Sequence, residues 1–219
     1  MIEVTQIRKS YGKKKVLSDI TFQVKPGECV AIAGKNGCGK STLMHIMAGI
    51  LKPDGGELCY FGKKAAYKSS TFRRFCGYVP QENPLMEELT VQDNLKLWGG
   101  SHNANTKELV AQFQLEDLLQ TEVRKLSGGM KRRLSIASAL VESPSFLLMD
   151  EPTTALDLYY KESIHQWMKT YQQKNGIILM TTHDESEIRN ADRCLFMDEG
   201  KVQELDAEDI LQKFAGMSE

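Results

Sequence analysis

The stretch Gly34-Lys35-Asn36-Gly37-Cys38-Gly39-Lys40-Ser41-Thr42 decides the fold class of this chain. Its spacing is G-x-x-x-x-G-K-S, and the apolar run at residues 29–33 that precedes it is typical of a buried strand. It is followed by apolar residues at helical spacing: Leu43, Ile46, Met47 and Ile50. A strand, a glycine-rich loop and a helix in this order predict a phosphate-binding loop in an α/β fold. A glycine-rich turn without a ligand is the alternative, which the agreement of spacing and context disfavours.

The residue types of this loop suit a nucleotide. Glycines let the main chain pass close to phosphate oxygens, and successive N–H groups and the helix N-terminus then point at the anion. Lys40 is predicted to neutralise the β- and γ-phosphates of ATP, and Ser41 to bind Mg²⁺ through its hydroxyl. We expect the nucleotide to contact most of the loop: Gly34, Asn36, Gly37, Cys38, Gly39, Lys40, Ser41 and Thr42.

A second apolar strand, Phe146-Leu147-Leu148-Met149, ends in two carboxylates, Asp150 and Glu151. Side chains alternate along a strand, so the two acids should point in different directions. In a parallel sheet both would lie at the carboxyl end, beside the phosphate loop. Asp150 is therefore the predicted Mg²⁺ ligand, and Glu151 the predicted general base for the attacking water. Two acids that only cap a strand before a turn are the alternative, which the upstream loop disfavours.

Four other features are weak when taken alone. Ser127-Gly128-Gly129 begins a predicted helix, where Ser127 is either a plain N-cap or part of a second anion site. Gln81 carries no specific signal, and a lone histidine such as His183 is most often structural or exposed. Tyr11 is either a turn aromatic or a stacking partner for adenine. The residues alone leave these choices open.

The composition indicates an ordinary globular protein, with 41% apolar and 26% charged residues. The net charge of −1 makes no global case for nucleic acid or an anionic membrane. We expect the basic triplets at residues 13–15 and 131–133 to be solvated or interface faces. The five cysteines lack C-x-x-C spacing, which argues against a disulfide framework or a zinc site. No signal peptide and no apolar stretch of 18 residues is present, so we expect a cytosolic protein that reaches a membrane only through a partner.

Apolar strands alternate with helical patterns along the chain, which predicts an α/β fold around a parallel sheet. Residues 1–33 are strand-rich, and residues 194–205 read as a hairpin. Thr90 is a predicted cap for a helix that carries Val91, Leu95 and Trp98, and residues 99–105 read as a turn. We predict one domain over residues 1–219. Its core spans residues 1–81 and 127–219, and residues 82–126 form a helical subdomain.

The order of these motifs resembles the nucleotide-binding subunit of an ATP-binding cassette (ABC) transporter, over residues 2 to about 205. The resemblance identifies the following motifs: an adenine-stacking Tyr11, Walker A at residues 34–42, a Q-loop Gln81, a signature motif at residues 126–130, Walker B at residues 146–151, a D-loop Ala155-Leu156-Asp157 and a switch His183. Met130 departs from the family, in which many relatives have Gln or Glu, and Thr154 also departs from the common pattern. Neither change removes a main-chain donor of the signature motif.

The resemblance also implies an architecture and a mechanism. The fold would be a P-loop NTPase with a mostly parallel core sheet, an N-terminal antiparallel β subdomain and a small helical insertion. Two copies would bind head to tail, each ATP lying between one copy's phosphate loop and Ser127, Gly128 and Gly129 of the other. Gln81 would act near Mg²⁺ and the attacking water, and His183 would contact the γ-phosphate. Lys40, Gln81, Glu151 and His183 would then form the catalytic set, with Ser41, Gln81 and Asp150 around the metal.

The expected function is an ATP-hydrolysing subunit at the cytoplasmic face of a membrane, which drives a separate membrane-spanning subunit. The run Gly128-Gly129-Met130-Lys131-Arg132-Arg133 is similar to exporter-type relatives and favours export. A soluble family ATPase of assembly, repair or translation is the alternative, although such proteins usually carry insertions that this chain lacks. A GTPase is disfavoured because no Asn-Lys-x-Asp motif is present. No nucleic-acid partner is expected.

Overall fold

The computed structural model of the protein describes residues 1–99, 105–154 and 156–216. Its first sheet consists of β1 (Ile2–Tyr11), β2 (Lys14–Val24), β4 (Gly55–Tyr60) and β5 (Lys63–Lys64). These strands are antiparallel and lie in the spatial order β2-β1-β4-β5. The sequence predicts this N-terminal antiparallel part, and the structure confirms it.

The second sheet has six strands and carries the phosphate loop. Its members are β3 (Cys29–Gly34), β6 (Cys76–Val79), β7 (Phe146–Asp150), β8 (Ile177–Thr181), β9 (Arg193–Asp198) and β10 (Lys201–Leu205). They lie in the order β10-β9-β3-β8-β7-β6, and every neighbouring pair is parallel except the β9–β10 hairpin. Every residue of β3, β7 and β8 is buried, as expected for the apolar strands of a parallel sheet covered on both faces.

The helices are α1 (Lys40–Met47), α2 (Ser70–Phe75), α3 (Val91–Gly99), α4 (Asn105–Gln112), α5 (Gly128–Leu140), α6 (Leu158–Gln173), α7 (Glu185–Asn190) and α8 (Ala207–Ala215). Among the described residues between β6 and α5, the named elements are the helices α3 and α4 and two 3₁₀ turns, which confirms the helical insertion. The exact limits predicted for this subdomain, residues 82–126, stay a prediction. Most of the predicted turn at residues 99–105 lies outside the described residues.

Alternation along the central strands divides the core into two clusters, one on each face of the six-stranded sheet. Val30 and Leu148 belong to the cluster that includes residues of α1 and the antiparallel sheet. Ala31 and Met149, their neighbours along the strands, belong to the cluster that includes residues of α5, α6 and the helical insertion. The carboxyl ends of β3, β7 and β8 thus meet at one edge of the sheet, where the phosphate loop and both acids lie.

Three local predictions need correction. Helix α1 ends at Met47, before the positive-φ Gly49, so Ile50 lies beyond the helix and is exposed. The sequence-based expectations omit α2, β6, α6, α7 and α8, although α6 shows a clear apolar face in Ile164, Trp167 and Met168. The basic triplet at residues 131–133 is not a solvated face, because Arg132 and Arg133 are buried. Each guanidinium donates hydrogen bonds to main-chain carbonyl groups, which the sequence pattern does not indicate.

Candidate functional site

The phosphate loop connects the end of β3 to the start of α1, and two of its positions require glycine, one for lack of space and one for its backbone conformation. A Cβ at Gly34 would lie 2.3 Å from the carbonyl oxygen of Met197. Gly39 is the N-cap of α1 in a left-handed conformation with φ of 114°, which disfavours any residue with a Cβ. Because the first amides of a helix lack intrahelical acceptors, the amides of Lys40, Ser41 and Thr42 are available to an anion.

Lys40 brings a positive charge into the middle of this loop. Its Nζ donates to the carbonyl oxygens of Gly34 at 2.7 Å and Lys35 at 3.0 Å. The side chain is buried, so its ammonium group is fixed by the loop rather than extended into water. The loop therefore combines main-chain donors with one oriented cation, which is a chemical fit to phosphate.

Asp150 and Glu151 separate at the end of β7. Asp150 is the last strand residue, is buried, and accepts a hydrogen bond from the Thr181 hydroxyl. Glu151 follows in the left-handed region with φ of 48°. Its amide donates to the Thr181 carbonyl oxygen at 3.0 Å. The two acidic side chains therefore point in different directions, as expected. Strand alternation and the strained backbone at Glu151 both contribute to this difference.

Three side chains from separate parts of the chain converge on the carboxylate of Glu151. Gln81 Nε2 donates to Oε2 at 3.0 Å, and the Thr154 hydroxyl donates to the same oxygen at 3.1 Å. His183 Nδ1 lies 3.4 Å from Oε1. We call Glu151 and these three residues the Glu151 cluster. Gln81 and His183, which carry no signal alone in the sequence, are in hydrogen-bonding or ion-pairing range of the predicted base.

The phosphate loop and the Glu151 cluster face one cavity of about 1170 Å³. Predicted site residues supply most of its lining: Gly34, Asn36, Gly37, Gly39, Lys40, Ser41, Thr42, Gln81, Glu151 and His183. The sequence reasoning missed four further lining residues: Val16, Lys35, Thr154 and Phe214. Val16 and Phe214 come from β2 and α8, and no motif marks either position.

The remaining predicted residues do not line this cavity. Tyr11 is half-exposed at the end of β1. Cys38 packs partly buried against the core, and burial is the main cause that raises the pKa of its thiol. Asp150 is buried and is not among the residues that line the cavity. The N-terminus of α5 is also outside it. The Ser127 hydroxyl accepts from the Met130 amide at 3.3 Å, so Ser127 is an N-cap, and the second anion site stays a prediction.

Comparison with known proteins places this geometry in a family. A family model described as ABC transporter matches residues 17–154, more than half of the chain. The chain belongs to the ABC transporter family. It is an ATP-binding subunit of that family and an ATPase. Among the described residues, no helix is both long and apolar enough to cross a membrane.

Individual relatives agree with this assignment. The Nod factor export ATP-binding protein I of Rhizobium etli is 35% identical over 98% of this chain and 71% of its own length. The solved structure of an ATP-binding subunit of an ABC transporter has a TM-score of 0.86. It is 31% identical over 98% of this chain and 93% of its own. A dimeric ATP-binding cassette in a post-hydrolysis state, bound to ADP and Pi, has a TM-score of 0.85 and 28% identity over 94% and 99% of the two chains.

A buried carboxylate connects the two loops of this ABC ATPase that carry Glu151 and His183. Glu187 of α7 accepts from the Thr153 hydroxyl at 2.8 Å and also from the Thr182 hydroxyl. Thr153 follows Glu151 by two residues, and Thr182 directly precedes His183. Glu187 is thus a further functional candidate that the sequence reasoning missed, since only the fold brings these loops together.

Asp184, the next residue after His183, caps α7. It accepts from the amides of Ser186 at 2.9 Å and Glu187 at 3.3 Å, and pairs with Lys161 at 2.6 Å. Burial acts to raise the pKa of Asp184, but hydrogen bonds from Lys161 and Ser186 outweigh it and lower the pKa to about 2. The segment that carries His183 is therefore anchored by a charged cap at neutral pH.

Proposed function

We propose that this ATPase works as an ATP-dependent homodimer that drives a separate membrane-spanning subunit, with export as the direction. The observation that carries the catalytic part is the convergence of Gln81 and His183 on Glu151 beside the phosphate loop. A carboxylate in this position can accept a proton from water that attacks the γ-phosphate. Gln81 and His183 would orient that water, and Lys40 would neutralise the phosphate charge.

The metal proposed for this site is Mg²⁺. The predicted ligands are the hydroxyl of Ser41, the carboxylate of Asp150 and the carboxamide of Gln81, all of them oxygen donors. Hard oxygen donors suit Mg²⁺, which is usually bound through one or two carboxylates together with phosphate oxygens and water. When bound, the ion would add charge neutralisation at the phosphates.

The homodimer follows from the separation of the two predicted phosphate contacts. Ser127, Gly128 and Gly129 do not line the cavity of their own subunit. Ser127 and Gly128 are exposed at the N-terminus of α5, where free amides favour an anion. A second copy in head-to-tail orientation would place these amides on ATP, and the dimeric cassette similar to this chain supports that arrangement. Tyr11, exposed at the end of β1, would stack on the adenine ring.

A groove near the helical insertion is the proposed docking surface for the membrane partner, at the cytoplasmic face. It has a volume of about 710 Å³. Its lining includes Ile50 and Trp98, which are 56% and 48% exposed, and Pro80 of the segment that precedes Gln81. Large exposed apolar side chains in a groove are typical of interaction sites. Export is supported by the relative from Rhizobium etli, whose name describes an export ATP-binding protein.

Glu151→Gln tests both the base and the dimer. We expect kcat for ATP hydrolysis to fall about 10²–10⁴-fold, the range for loss of a general base. ATP affinity should remain, and size-exclusion chromatography with light scattering should show a dimer only with ATP. The matched control is Glu162→Gln, an exposed carboxylate on α6.

Two outcomes would contradict parts of this proposal. Wild-type turnover in Glu151→Gln would rule out Glu151 as the general base. A strict monomer at high concentration with ATP would rule out an autonomous homodimer. Copurification separates the leading function from its alternative. A membrane protein is expected, whereas ribosomes, DNA or soluble scaffold proteins would indicate a soluble ATPase of assembly, repair or translation.

A further inference from the structure

One buried side chain, Arg132 of α5, connects the two segments that carry Gln81 and Glu151. Only 4% of the residue is exposed. Its guanidinium donates to main-chain oxygens from both segments: Nε to Pro152 at 2.8 Å, Nη1 to Pro80 at 2.5 Å, and Nη2 to Asp150 at 3.0 Å and Glu151 at 3.1 Å. A planar guanidinium with several fixed donors is suited to such a junction, which a lysine could satisfy only in part.

The contact with Glu151 has a specific consequence for its backbone. A residue with a Cβ in the left-handed region is strained, and the surrounding structure must keep it there. The amide of Glu151 is fixed by Thr181 of β8, and its carbonyl oxygen is fixed by Arg132. The conformation that directs the carboxylate into the cavity is therefore restrained from both sides.

The same guanidinium also fixes the backbone next to Gln81. Its Nη1 donates to the carbonyl oxygen of Pro80, and Gln81 in turn donates to the Glu151 carboxylate at 3.0 Å. Without these hydrogen bonds, several buried carbonyl groups would lose their donor, and the segments could move apart. Burial lowers the pKa of Arg132 to about 10, and carboxylates led by Glu187 oppose this effect, so the group stays protonated at neutral pH.

We propose that Arg132 is a positioning residue for ATP hydrolysis, which aligns Glu151 and Gln81 from the helix that begins with the signature motif. This rests on the proposed catalytic roles of those two residues. Arg132 lies within five residues of Ser127, the N-cap of α5. The helix proposed to contact the partner's ATP therefore also aligns the catalytic groups of its own subunit.

Arg133 offers a matched control on the same helix. It is also buried, with 5% of the residue exposed, and its Nη1 donates to the carbonyl oxygen of Phe113 and the side chain of Gln114, both at 3.0 Å. Its guanidinium also lies 5.0 Å from the ring of Tyr160. Replacement of either arginine removes a buried guanidinium from α5, but only Arg132 contacts the segments of Gln81 and Glu151.

The first measurement is steady-state hydrolysis by Arg132→Met and Arg132→Lys, with Arg133→Met and Arg133→Lys as controls. We expect Arg132→Met to lower kcat about 10²-fold, because misplaced catalytic groups lose orientation. The KM for ATP should stay within about threefold, since the phosphate loop is untouched. Arg132→Lys should recover about 10-fold of the loss. Both Arg133 variants should keep kcat within about threefold. Equal losses of kcat in the two series would overturn the proposal.

The second measurement is a double-mutant cycle on the folded Arg132→Lys variant. If Arg132 acts through Glu151, its effect on kcat should shrink markedly in a Glu151→Gln background, where only the part that acts through Gln81 remains. A merely structural role would lower the residual activity by the same factor in both backgrounds, and that result would overturn the proposal even if Arg132→Met fails to fold. The dimer assay of Glu151→Gln tests the proposed homodimer separately. The double-mutant cycle compares kcat values and can be interpreted even if that assay shows no dimer.

Discussion

The phosphate loop consists of nine consecutive residues, 34–42, whereas the Glu151 cluster combines side chains from three separate segments. In the loop, the partners of Lys40 are carbonyl groups of the loop itself. In the cluster, Glu151 depends on Gln81, His183 and the more distant supports Arg132 and Glu187. Mutations should therefore affect the two halves of the cavity differently. The loop should lose activity when its own residues are changed, whereas the cluster should also lose activity when residues that do not contact ATP are changed.

Apart from the substitutions of Glu151 and Arg132 described above, the largest effect is expected within the loop. Lys40→Ala should lower ATP turnover about 10²–10³-fold, the range for loss of one preorganised electrostatic contact. ATP affinity should fall with it, because the ammonium group acts on bound phosphates. ATPase assays and equilibrium nucleotide binding would measure this, with the exposed Lys13→Ala as control. Activity at the wild-type level in Lys40→Ala would remove the catalytic assignment of the loop.

The second effect concerns the cluster and arises from a residue outside the cavity. Glu187→Gln weakens the acceptor for the hydroxyl groups of Thr153 and Thr182, so the segments of Glu151 and His183 become less well fixed. Because one charged acceptor is lost, we expect the free energy of unfolding to fall by about 1–3 kcal/mol. We also expect kcat to fall about 10-fold. Denaturant titration and ATPase assays would measure the two losses.

The control for Glu187→Gln is Glu185→Gln on the same helix, whose carboxylate is exposed and pairs with Arg189. This surface pair should change the free energy of unfolding by less than about 1 kcal/mol. If the two variants were indistinguishable in both measurements, the cluster would not depend on the buried Glu187, and the contrast with the loop would weaken.

The smallest effect is the pH dependence of the cap next to His183. The pKa of Asp184 is about 2 in the folded protein, below its ordinary value of 3.8. A lowered pKa means that its stabilisation is complete above about pH 4 and is lost as pH falls towards 2. Because the group is partly open to solvent, we expect a contribution of about 1 kcal/mol.

The measurement is the difference in the free energy of unfolding between wild type and Asp184→Asn. This change retains a good N-cap residue and removes the charge. The difference should be constant above about pH 4 and should shrink as the pH falls from about 4 towards 2. Asp209→Asn, an exposed position on α8, should show no such trend. A difference that is constant with pH would exclude the proposed charge contribution.

The predictability of these regions follows from how they are assembled. The loop is visible in the sequence because glycines, a lysine and hydroxyl residues stand next to each other between a strand and a helix. Gln81 and His183 could be selected only through the family resemblance, since neither residue type carries a signal of its own. The sequence pattern did not predict the burial of Arg132. Three adjacent basic residues do not show that two of them lie on the buried face of a helix.

By itself the sequence determined the α/β class, the phosphate loop and the acidic end of β7, because these depend on local spacing and on the burial of apolar strands. Only the tertiary structure decided which distant groups support the predicted base. Parallel pairing of β7 and β8 brings Thr181 to Glu151, and the packing of α5 brings the Arg132 guanidinium to both catalytic segments. Such contacts depend on directional hydrogen bonds between residues far apart in the chain, and no local pattern encodes their geometry.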